Sequence, residues 1–240
     1  MVEKKQFLYI LPNIFTAASA FVGIVAVIAA SKGKFDLAIV YIFLSLILDG
    51  LDGRVARLTG TSSKFGVEFD SLADIVAFGV APAMLFYFSI GHDFGRIGIT
   101  IAALFVVFGA IRLARFNVTT GTYDPSVFIG LPIPTAAVTL SLLIGIYEKY
   151  EIFKDCGLIV IFLSFILSVL MVSNIRFPSF KKMSFKGKNS MKILVCLIIF
   201  FGFLYLCPLE ISAILFISYV SYGITRAVYN FWFRKSKKIE

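Results

Sequence analysis

The chain has 240 residues, of which 59% are hydrophobic and 15% are charged, and its formal net charge is +9. Soluble domains are about 45–50% apolar and about 25% charged, so this composition excludes an ordinary soluble domain. Apolar runs of about 18 residues or more recur, and a helix of that length spans a bilayer while satisfying its own backbone. The sequence therefore predicts an all-α, polytopic membrane helix bundle that forms one domain over residues 1–240.

Eight transmembrane helices are predicted along the chain. The first apolar run is longer than the segment of about 7–15 residues found in secretory signals, so we expect it to be a retained helix. The seventh run is short, and Pro208 separates it from the eighth. The predicted spans are residues 8–30, 36–57, 68–90, 97–116, 129–147, 155–173, 192–207 and 209–229.

The basic residues predict the orientation of these spans. With the N-terminus in the cytosol, cytosolic segments hold 18 of the 23 Lys and Arg residues. This bias places both termini in the cytosol, in the cytoplasmic membrane. The positive charge is then explained by topology and by attraction to anionic membrane lipids, and no nucleic acid partner is expected. The lysines at 181, 182, 186 and 188 are expected to form a membrane-surface patch.

The segment DGLDGRVARLTGTSSKFGVEFDSLAD, residues 49–74, places four aspartates between two apolar runs. Asp49 and Asp52 are spaced i, i+3 near the end of the second helix, so they share a face. Asp70 and Asp74 are spaced i, i+4 near the start of the third helix. Because the turn between the helices is short, we expect the two pairs to face each other at matching depths.

This clustering of carboxylates predicts a metal site. A charged side chain at mid-bilayer costs about 2.5–3.5 kcal/mol on insertion scales, and nearby like charges add to that cost. Two divalent cations, Mg²⁺ or Mn²⁺, would balance four carboxylates through the oxygen ligands that these ions prefer. Two-metal sites commonly support phosphoryl transfer. From spacing alone, a structural Asp–Arg network between two helices is the alternative.

Small residues beside the aspartates leave space for a ligand. Gly53, Ala56 and Gly66 have little or no side chain, which lets a ligand or a backbone approach closely. Arg57 lies one to two helical turns away, and a guanidinium group can bind a phosphate. Small residues also mark ordinary helix packing in membranes, so packing alone is the competing interpretation.

The pattern D-x2-D-G-x2-A-R-x8-G-x3-D-x3-D runs from Asp49 to Asp74 and resembles the signature of the CDP-alcohol phosphotransferase family. The N-terminal LPNIFTAASAFVGI also resembles the first helix of that family. The resemblance implies a six-helix core, so two of the eight spans would be C-terminal additions, and it implies a homodimer. It also implies that Asp49, Asp52, Asp70 and Asp74 bind two divalent cations and that Asp74 is the general base. The residues implied for the nucleotide site are Asn13, Thr16, Gly53, Ala56, Arg57, Ser63 and Gly66.

Two further stretches, residues 65–83 and 111–137, resemble the serine-transferring branch of the family, the CDP-diacylglycerol–serine O-phosphatidyltransferases. The implied reaction moves the phosphatidyl group of CDP-diacylglycerol, or its ether-lipid equivalent, to the hydroxyl of L-serine and releases CMP at the cytosolic face. The carboxylate of serine requires a cation, and an Arg fork matches a carboxylate. Arg112, Arg115 and Asn117 are the candidates, with positive-inside anchoring as the alternative for the two arginines.

Two other functions remain open at this stage. The acceptor could be glycerol phosphate or inositol phosphate, whose phosphate would require a denser basic pocket. The chain could also be a non-enzymatic ion transporter that uses intramembrane carboxylates. Transporters more often contain paired broken helices in two related halves, and no internal repeat is visible in this sequence.

Overall fold

The computed structural model describes residues 2–61, 63–119, 127–178 and 201–236, and most of them are helical. This confirms the all-α fold class. Most of the predicted seventh span, residues 192–207, lies outside the described residues. The lysines at 181, 182, 186 and 188 also lie outside them. Helical residues 201–206 precede the last helix. The helices are α1 (Val2–Ser31), α2 (Phe35–Thr59), α3 (Lys64–Ser89), α4 (Arg96–Thr119), α5 (Ile133–Lys149), α6 (Gly157–Val172) and α7 (Pro208–Ser236).

The described helices belong to a multi-pass membrane protein. Helix α2 ends in the charged residues of the aspartate motif, and α5 has only 17 residues. Neither helix is therefore both long enough and apolar enough to count among the candidate spans. Five segments are long and apolar enough to cross a bilayer: Pro12–Ser31, Lys64–Ser89, Arg96–Thr119, Glu151–Val172 and Pro208–Asn230.

Helix α1 packs closely against both aspartate-bearing helices. The buried hydroxyl of Ser19 donates to the carbonyl of Ser45 on α2, and the hydroxyl of Ser45 donates to the carbonyl of Ser19, both at 3.1 Å. A Cβ atom at Gly23 would lie 2.8 Å from the Cα of Ala77 on α3. Small residues at these crossings let the helix backbones approach each other, as is common in membrane bundles. Helix α1 therefore fixes α2 and α3 relative to each other.

Helix α3 contains a π-helical turn over Ile75–Val80, directly after Asp74. A π turn holds more residues than an α turn, and such turns are frequent at functional sites. Ala77 and Phe78 within it are fully buried in the core. The turn therefore changes the face that α3 presents between its aspartate-bearing half and its core-packed half.

A short antiparallel ribbon joins the segments before α5 and after α6. Strand β1 (Val127–Ile129) pairs with β2 (Arg176–Pro178), with Phe128 opposite Phe177. The fifth span was predicted to begin at residue 129, but α5 begins at Ile133. Gly130 has φ +77°, which is not helical, and a residue that precedes a proline such as Pro132 is disfavoured in the α conformation.

Helix α7 packs against α5 and the ribbon. Ala213 on α7 forms a small buried cluster with Val138 and Leu142 on α5. At one end, Oε1 of Glu210 accepts hydrogen bonds from the Lys149 ammonium and, at 2.5 Å, from the Tyr150 hydroxyl. Further along α7, the Tyr219 hydroxyl donates to the carbonyl of Pro178 at 3.1 Å. Polar contacts and apolar packing therefore hold α7 to the bundle.

Candidate active site

Three of the four motif aspartates meet at one end of the helix bundle. One oxygen atom from each of Asp49, Asp70 and Asp74 can be chosen so that all three lie within 4.8 Å of one another. Helix α2 ends at Thr59 and is followed by the capping residue Gly60, whose φ of +64° is left-handed, and α3 begins after the N-cap Ser63. This tight connection is what sets the two helices side by side with their carboxylates facing each other.

The chemistry of this group fits a divalent cation. Oδ1 of Asp70 is buried and has no hydrogen-bond partner among the residues that the structure describes. Three carboxylates in contact would repel one another if each stayed charged with no cation between them. Oxygen-only ligands of this kind suit a hard cation such as Mg²⁺ or Mn²⁺. Asp49, Asp70 and Asp74 therefore fit a hard divalent cation.

Asp52 does not belong to this group of three, and it contacts α1. It is 6% exposed, and its Oδ2 accepts a 2.6 Å hydrogen bond from the hydroxyl of Thr16, which is 3% exposed. The same Thr16 hydroxyl lies 3.2 Å from the carbonyl of Pro12. Asp52 nevertheless interacts electrostatically with Asp70, and Asp49 interacts with Asp74, which agrees with the prediction that the two aspartate pairs face each other. Its role as a metal ligand stays a prediction.

A cavity of about 170 Å³ adjoins the carboxylates. Asp52 and Asp70 lie in its wall, so the cavity and the group of three carboxylates share Asp70. The structure brings all seven residues predicted for the nucleotide site into this wall. They are Asn13, Thr16, Gly53, Ala56, Arg57, Ser63 and Gly66, and the remaining wall residues are Pro12, Thr61 and Val67.

The cavity wall suits an anionic ligand. A Cβ atom at Gly53 would lie 3.5 Å from Nη1 of Arg57, so the guanidinium lies over this glycine. The hydroxyl of Ser63 accepts a 3.0 Å hydrogen bond from the backbone N–H of Gly66, which caps α3. A Cβ atom at Gly66 would lie 3.2 Å from that hydroxyl and 3.3 Å from Oδ1 of Asn13. The wall therefore combines a guanidinium with the positive end of a helix dipole.

Arg112 on α4 lies beside the carboxylates. It is 7% exposed, interacts electrostatically with Asp74, and has its Cζ 5.2 Å from the centroid of the Phe116 ring. Within the described part of the chain its side chain donates no hydrogen bond. Asn117, further along α4, donates a 2.9 Å hydrogen bond from Nδ2 to the hydroxyl of Ser71 on α3. No donor of Arg112 is therefore taken up by a described residue, and the guanidinium lies next to Asp74.

Arg115 has a different environment, although it lies only three residues after Arg112. Nη1 of its guanidinium lies 3.5 Å from Oδ1 of Asn174. Arg115 was predicted to bind serine, but both terminal nitrogens of its guanidinium donate hydrogen bonds to backbone carbonyls. They donate hydrogen bonds of 2.9–3.1 Å to the backbone carbonyls of Ile129, Met171, Val172 and Ser173.

Sequence reasoning missed several residues of the site. Phe116 follows Arg112 at i, i+4, a spacing at which helical side chains meet, so that contact had a detectable signal. Ser71, which Asn117 contacts, had none because the contact depends on how α3 and α4 pack. Thr61 lies in the cavity wall but was not among the residues predicted for the nucleotide site.

Comparison with known proteins gives the family. Residues 9–171 match the model of the CDP-alcohol phosphatidyltransferase family. The chain belongs to this family. The matched region includes α2 to α5 and all but the ends of α1 and α6, whereas α7 lies beyond it. The family uses divalent metals, with which the cluster of Asp49, Asp70 and Asp74 is compatible.

Several curated relatives carry the names of serine-transferring enzymes. A CDP-diacylglycerol–serine O-phosphatidyltransferase of Helicobacter pylori is 52% identical over 221 residues, covering 91% of each chain. An archaetidylserine synthase of Methanothermobacter thermautotrophicus is 39% identical over 183 residues, or 74% of each chain. A CDP-diacylglycerol–serine O-phosphatidyltransferase of Bacillus subtilis is 36% identical over 173 residues, covering 72% of this chain and 92% of the relative.

Proposed function

We propose that this chain transfers the phosphatidyl group of CDP-diacylglycerol, or its ether-lipid analogue, to the hydroxyl of L-serine and releases CMP. The observation that carries the proposal is the continuity of three features. Asp70 belongs both to the carboxylate group and to the cavity wall, and Asp74 lies in the carboxylate group beside Arg112. A donor site, a proton acceptor and an anion-binding arginine are thus contiguous. The names of the relatives support serine as the acceptor.

The cavity is the proposed site for the nucleotide and diphosphate of the donor lipid. Arg57 binds the diphosphate, because its guanidinium lies over Gly53 at the cavity wall and pairs well with phosphate oxygens. The N-terminus of α3 adds the favourable end of a helix dipole. Ser63 caps this helix and presents its hydroxyl to the same cavity. Asn13, Thr16, Ala56 and Gly66 complete the proposed nucleotide site.

The proposed chemistry requires the carboxylates in two roles. Asp49, Asp52, Asp70 and Asp74 would hold two divalent cations, Mg²⁺ or Mn²⁺, which when bound neutralise the charge of the diphosphate and of the departing CMP. Asp74 accepts the proton of the serine hydroxyl, which is a weak nucleophile without a base. The serine oxygen forms a bond to the lipid-bearing phosphorus. The bond from that phosphorus to the bridging oxygen breaks, and CMP leaves with the electron pair.

Arg112 is the proposed ligand of the serine carboxylate. Its planar guanidinium can donate two parallel hydrogen bonds to a carboxylate. The ring of Phe116 restricts its orientation through a cation–π contact. Asn117 lies on the same helix, tied to Ser71 on α3, and is the proposed polar neighbour of the acceptor. A serine bound in this way has its hydroxyl on the side of Asp74.

We also propose that the chain forms a single domain over residues 1–240 in the cytoplasmic membrane. Both termini and the active site face the cytosol, and two chains form a homodimer. Lys34 before α2 and Lys64 at the start of α3 lie at opposite ends of the bundle. In a chain without its native cysteines, Lys34→Cys should react with a membrane-impermeant maleimide from outside and Lys64→Cys only after lysis. The reverse pattern would contradict the orientation, and a purely monomeric mass in detergent would contradict the dimer.

The acceptor is tested by CMP release from CDP-diacylglycerol with the purified protein. L-Serine, serinol, glycerol 3-phosphate and inositol phosphate are compared with Mg²⁺ or Mn²⁺ present. Serine should support the highest kcat/KM, and serinol, which lacks the carboxylate, should be poor. A higher kcat/KM with a phosphorylated alcohol would refute serine as the acceptor and retain the family chemistry. No CMP release with any acceptor would favour a non-enzymatic role.

A further inference from the structure

The end of α6 contains a junction that an arginine from another helix completes. The last carbonyls of a helix lack intrahelical partners and carry the negative end of the helix dipole. Arg115 of α4 donates to three of them, those of Met171, Val172 and Ser173. The same guanidinium donates to the carbonyl of Ile129 in β1 at 3.0 Å. One side chain therefore joins α4, the end of α6 and the segment that leads into α5.

Gly130 is required for this junction. Its φ is +77°, and a Cβ atom there would lie 2.3 Å from the carbonyl oxygen of Met171 and 2.5 Å from Nη2 of Arg115. The backbone N–H of Gly130 donates to the carbonyl of Ile175 at 2.8 Å, which holds the glycine in place. Even an alanine at this position would have to displace the guanidinium or the carbonyls. The position of the Arg115 guanidinium therefore depends on Gly130, a residue without a charge.

The junction lies next to the proposed acceptor site along α4. Arg112 is three residues before Arg115, and Asn117 is two residues after it. Arg112 is buried, yet its side chain donates no hydrogen bond within the described residues. Its position beside Asp74 is set by the position of α4 and by the Phe116 ring, since no hydrogen bond of its own fixes it. A small movement of α4 would carry the Arg112 guanidinium away from Asp74.

We propose that Arg115 is a positioning residue for the acceptor site and does not contact serine. It fixes α4 against the end of α6 and against residues 129–131, so that Arg112 is aligned with the serine carboxylate. This inference rests on the proposed function, in which Arg112 binds that carboxylate. The two arginines then have different roles, although their spacing made both of them candidates for binding the serine carboxylate.

The test compares variants at both arginines and at the glycine. Arg115→Lys keeps the charge but cannot bridge several carbonyls, and Gly130→Ala disturbs the same junction without changing a charge. Arg112→Lys and the double variant with Arg115→Lys are measured alongside. Arg96→Lys is the matched control, because Arg96 is exposed at the opposite end of α4. For each, kcat and KM are determined for serine and for CDP-diacylglycerol, well below the unfolding temperature and per folded enzyme.

Arg115→Lys and Gly130→Ala should share one pattern. The KM for serine should rise about tenfold, because small misplacements of a binding group are costly, whereas the KM for CDP-diacylglycerol should change less than about twofold. Arg112→Lys should raise the KM for serine on its own. Adding Arg115→Lys to it should change that KM by less than about twofold, because the group being positioned is already lost. Arg96→Lys should match the wild type.

Several results would overturn the proposal. A raised serine KM in Arg115→Lys with a normal value in Gly130→Ala would make Arg115 a direct ligand. Lower thermal stability with unchanged kinetic constants per folded enzyme would make the junction merely structural. Additive effects in the double variant would make the two arginines independent. Failure of the proposed function is distinguished from all of these, because the wild type itself would then not use serine.

A milder variant covers the case in which these proteins do not fold. The hydroxyl of Ser173 donates to the carbonyl of Leu170 at 2.8 Å within the same junction. Ser173→Ala removes that bond and the 3.4 Å hydrogen bond that the hydroxyl accepts from the N–H of Ile175. It should raise the KM for serine by about twofold to threefold, with CDP-diacylglycerol unaffected, since neutral hydrogen bonds contribute little. An unchanged KM for serine in this variant would overturn the proposal.

Discussion

The hydroxyl of Thr16 donates a 2.6 Å hydrogen bond to Oδ2 of Asp52, and both side chains are buried. This bond connects α1 to the only motif aspartate that does not join the carboxylate group. Asp52 lies in the cavity wall with Asp70, so Thr16 fixes the orientation of a carboxylate where the proposed nucleotide and metal sites meet. Its consequence for catalysis is directly testable.

Thr16→Val should weaken metal activation of the enzyme. Valine keeps the shape of threonine but removes the hydroxyl that donates to Asp52. Losing a hydrogen bond to a charged group costs about 1.5–3 kcal/mol, so half-maximal activity should require roughly tenfold to a hundredfold more Mg²⁺. Thr139→Val is the matched control, because Thr139 is equally buried and its hydroxyl bonds only within α5, to Thr135. Equal metal dependence in both variants would contradict the assigned role.

Removing divalent cations should abolish CMP release. One oxygen from each of Asp49, Asp70 and Asp74 lies within 4.8 Å of the other two, and no softer ligand joins that group in the described residues. We expect excess EDTA to stop turnover and either Mg²⁺ or Mn²⁺ to restore it. The measurement is CMP release before and after chelation, with the Tm followed in parallel to show that the protein stays folded. Full activity in excess EDTA would rule out the metal-dependent mechanism.

Two aspartate variants should separate proton transfer from ligand binding. Asp74→Asn keeps the shape of the side chain but cannot accept a proton, so we expect a loss of about 100-fold to 10,000-fold in kcat with CDP-diacylglycerol binding retained. Asp49→Ala should instead weaken the binding of metal and of CDP-diacylglycerol. Binding is measured by titration of the labelled nucleotide lipid. Near-normal kcat in Asp74→Asn would remove this residue from the role of general base.

Gly66→Ala should impair binding of the donor lipid. The added methyl would lie 3.2 Å from the Ser63 hydroxyl and 3.3 Å from Oδ1 of Asn13, so the cavity wall must shift. Overpacking of this kind costs about 1–3 kcal/mol, and the KM for CDP-diacylglycerol should rise by roughly fivefold or more. Gly50→Ala is the control, since a Cβ atom there meets nothing within 4 Å. A rise of equal size in the two variants would contradict the assignment of the cavity.

The sequence predicted that the motif aspartates lie together, because helix geometry fixes short-range positions. Asp49, Asp70 and Asp74 lie on two helices joined by a four-residue turn, and their spacing alone sets their face and depth. The same holds for Gly53 and Arg57, which are one turn apart. The hydrogen bond between Asp52 and the hydroxyl of Thr16 could not be predicted, because helix periodicity does not reveal a contact with a third helix.

Contacts between distant segments could not be predicted from spacing. Arg112 and Arg115 carry the same charge and lie near the same end of α4. Their roles diverge because α6 ends beside Arg115, and that end is fixed by pairing of β1 with β2 and by the left-handed turn at Gly130. The π turn after Asp74 likewise depends on packing against the core, since no proline or glycine pair marks its start.

In the proposed reaction the serine hydroxyl attacks the lipid-bearing phosphorus directly. Serine labelled with ¹⁸O in its hydroxyl, incubated with CDP-diacylglycerol, purified protein and Mg²⁺, tests this claim by mass spectrometry. We predict one equivalent of CMP without label for each molecule of a serine phospholipid that retains the ¹⁸O between serine and phosphorus, and no product with Asp74→Asn above a trace. Labelled CMP, or CMP released without a serine phospholipid, would contradict it.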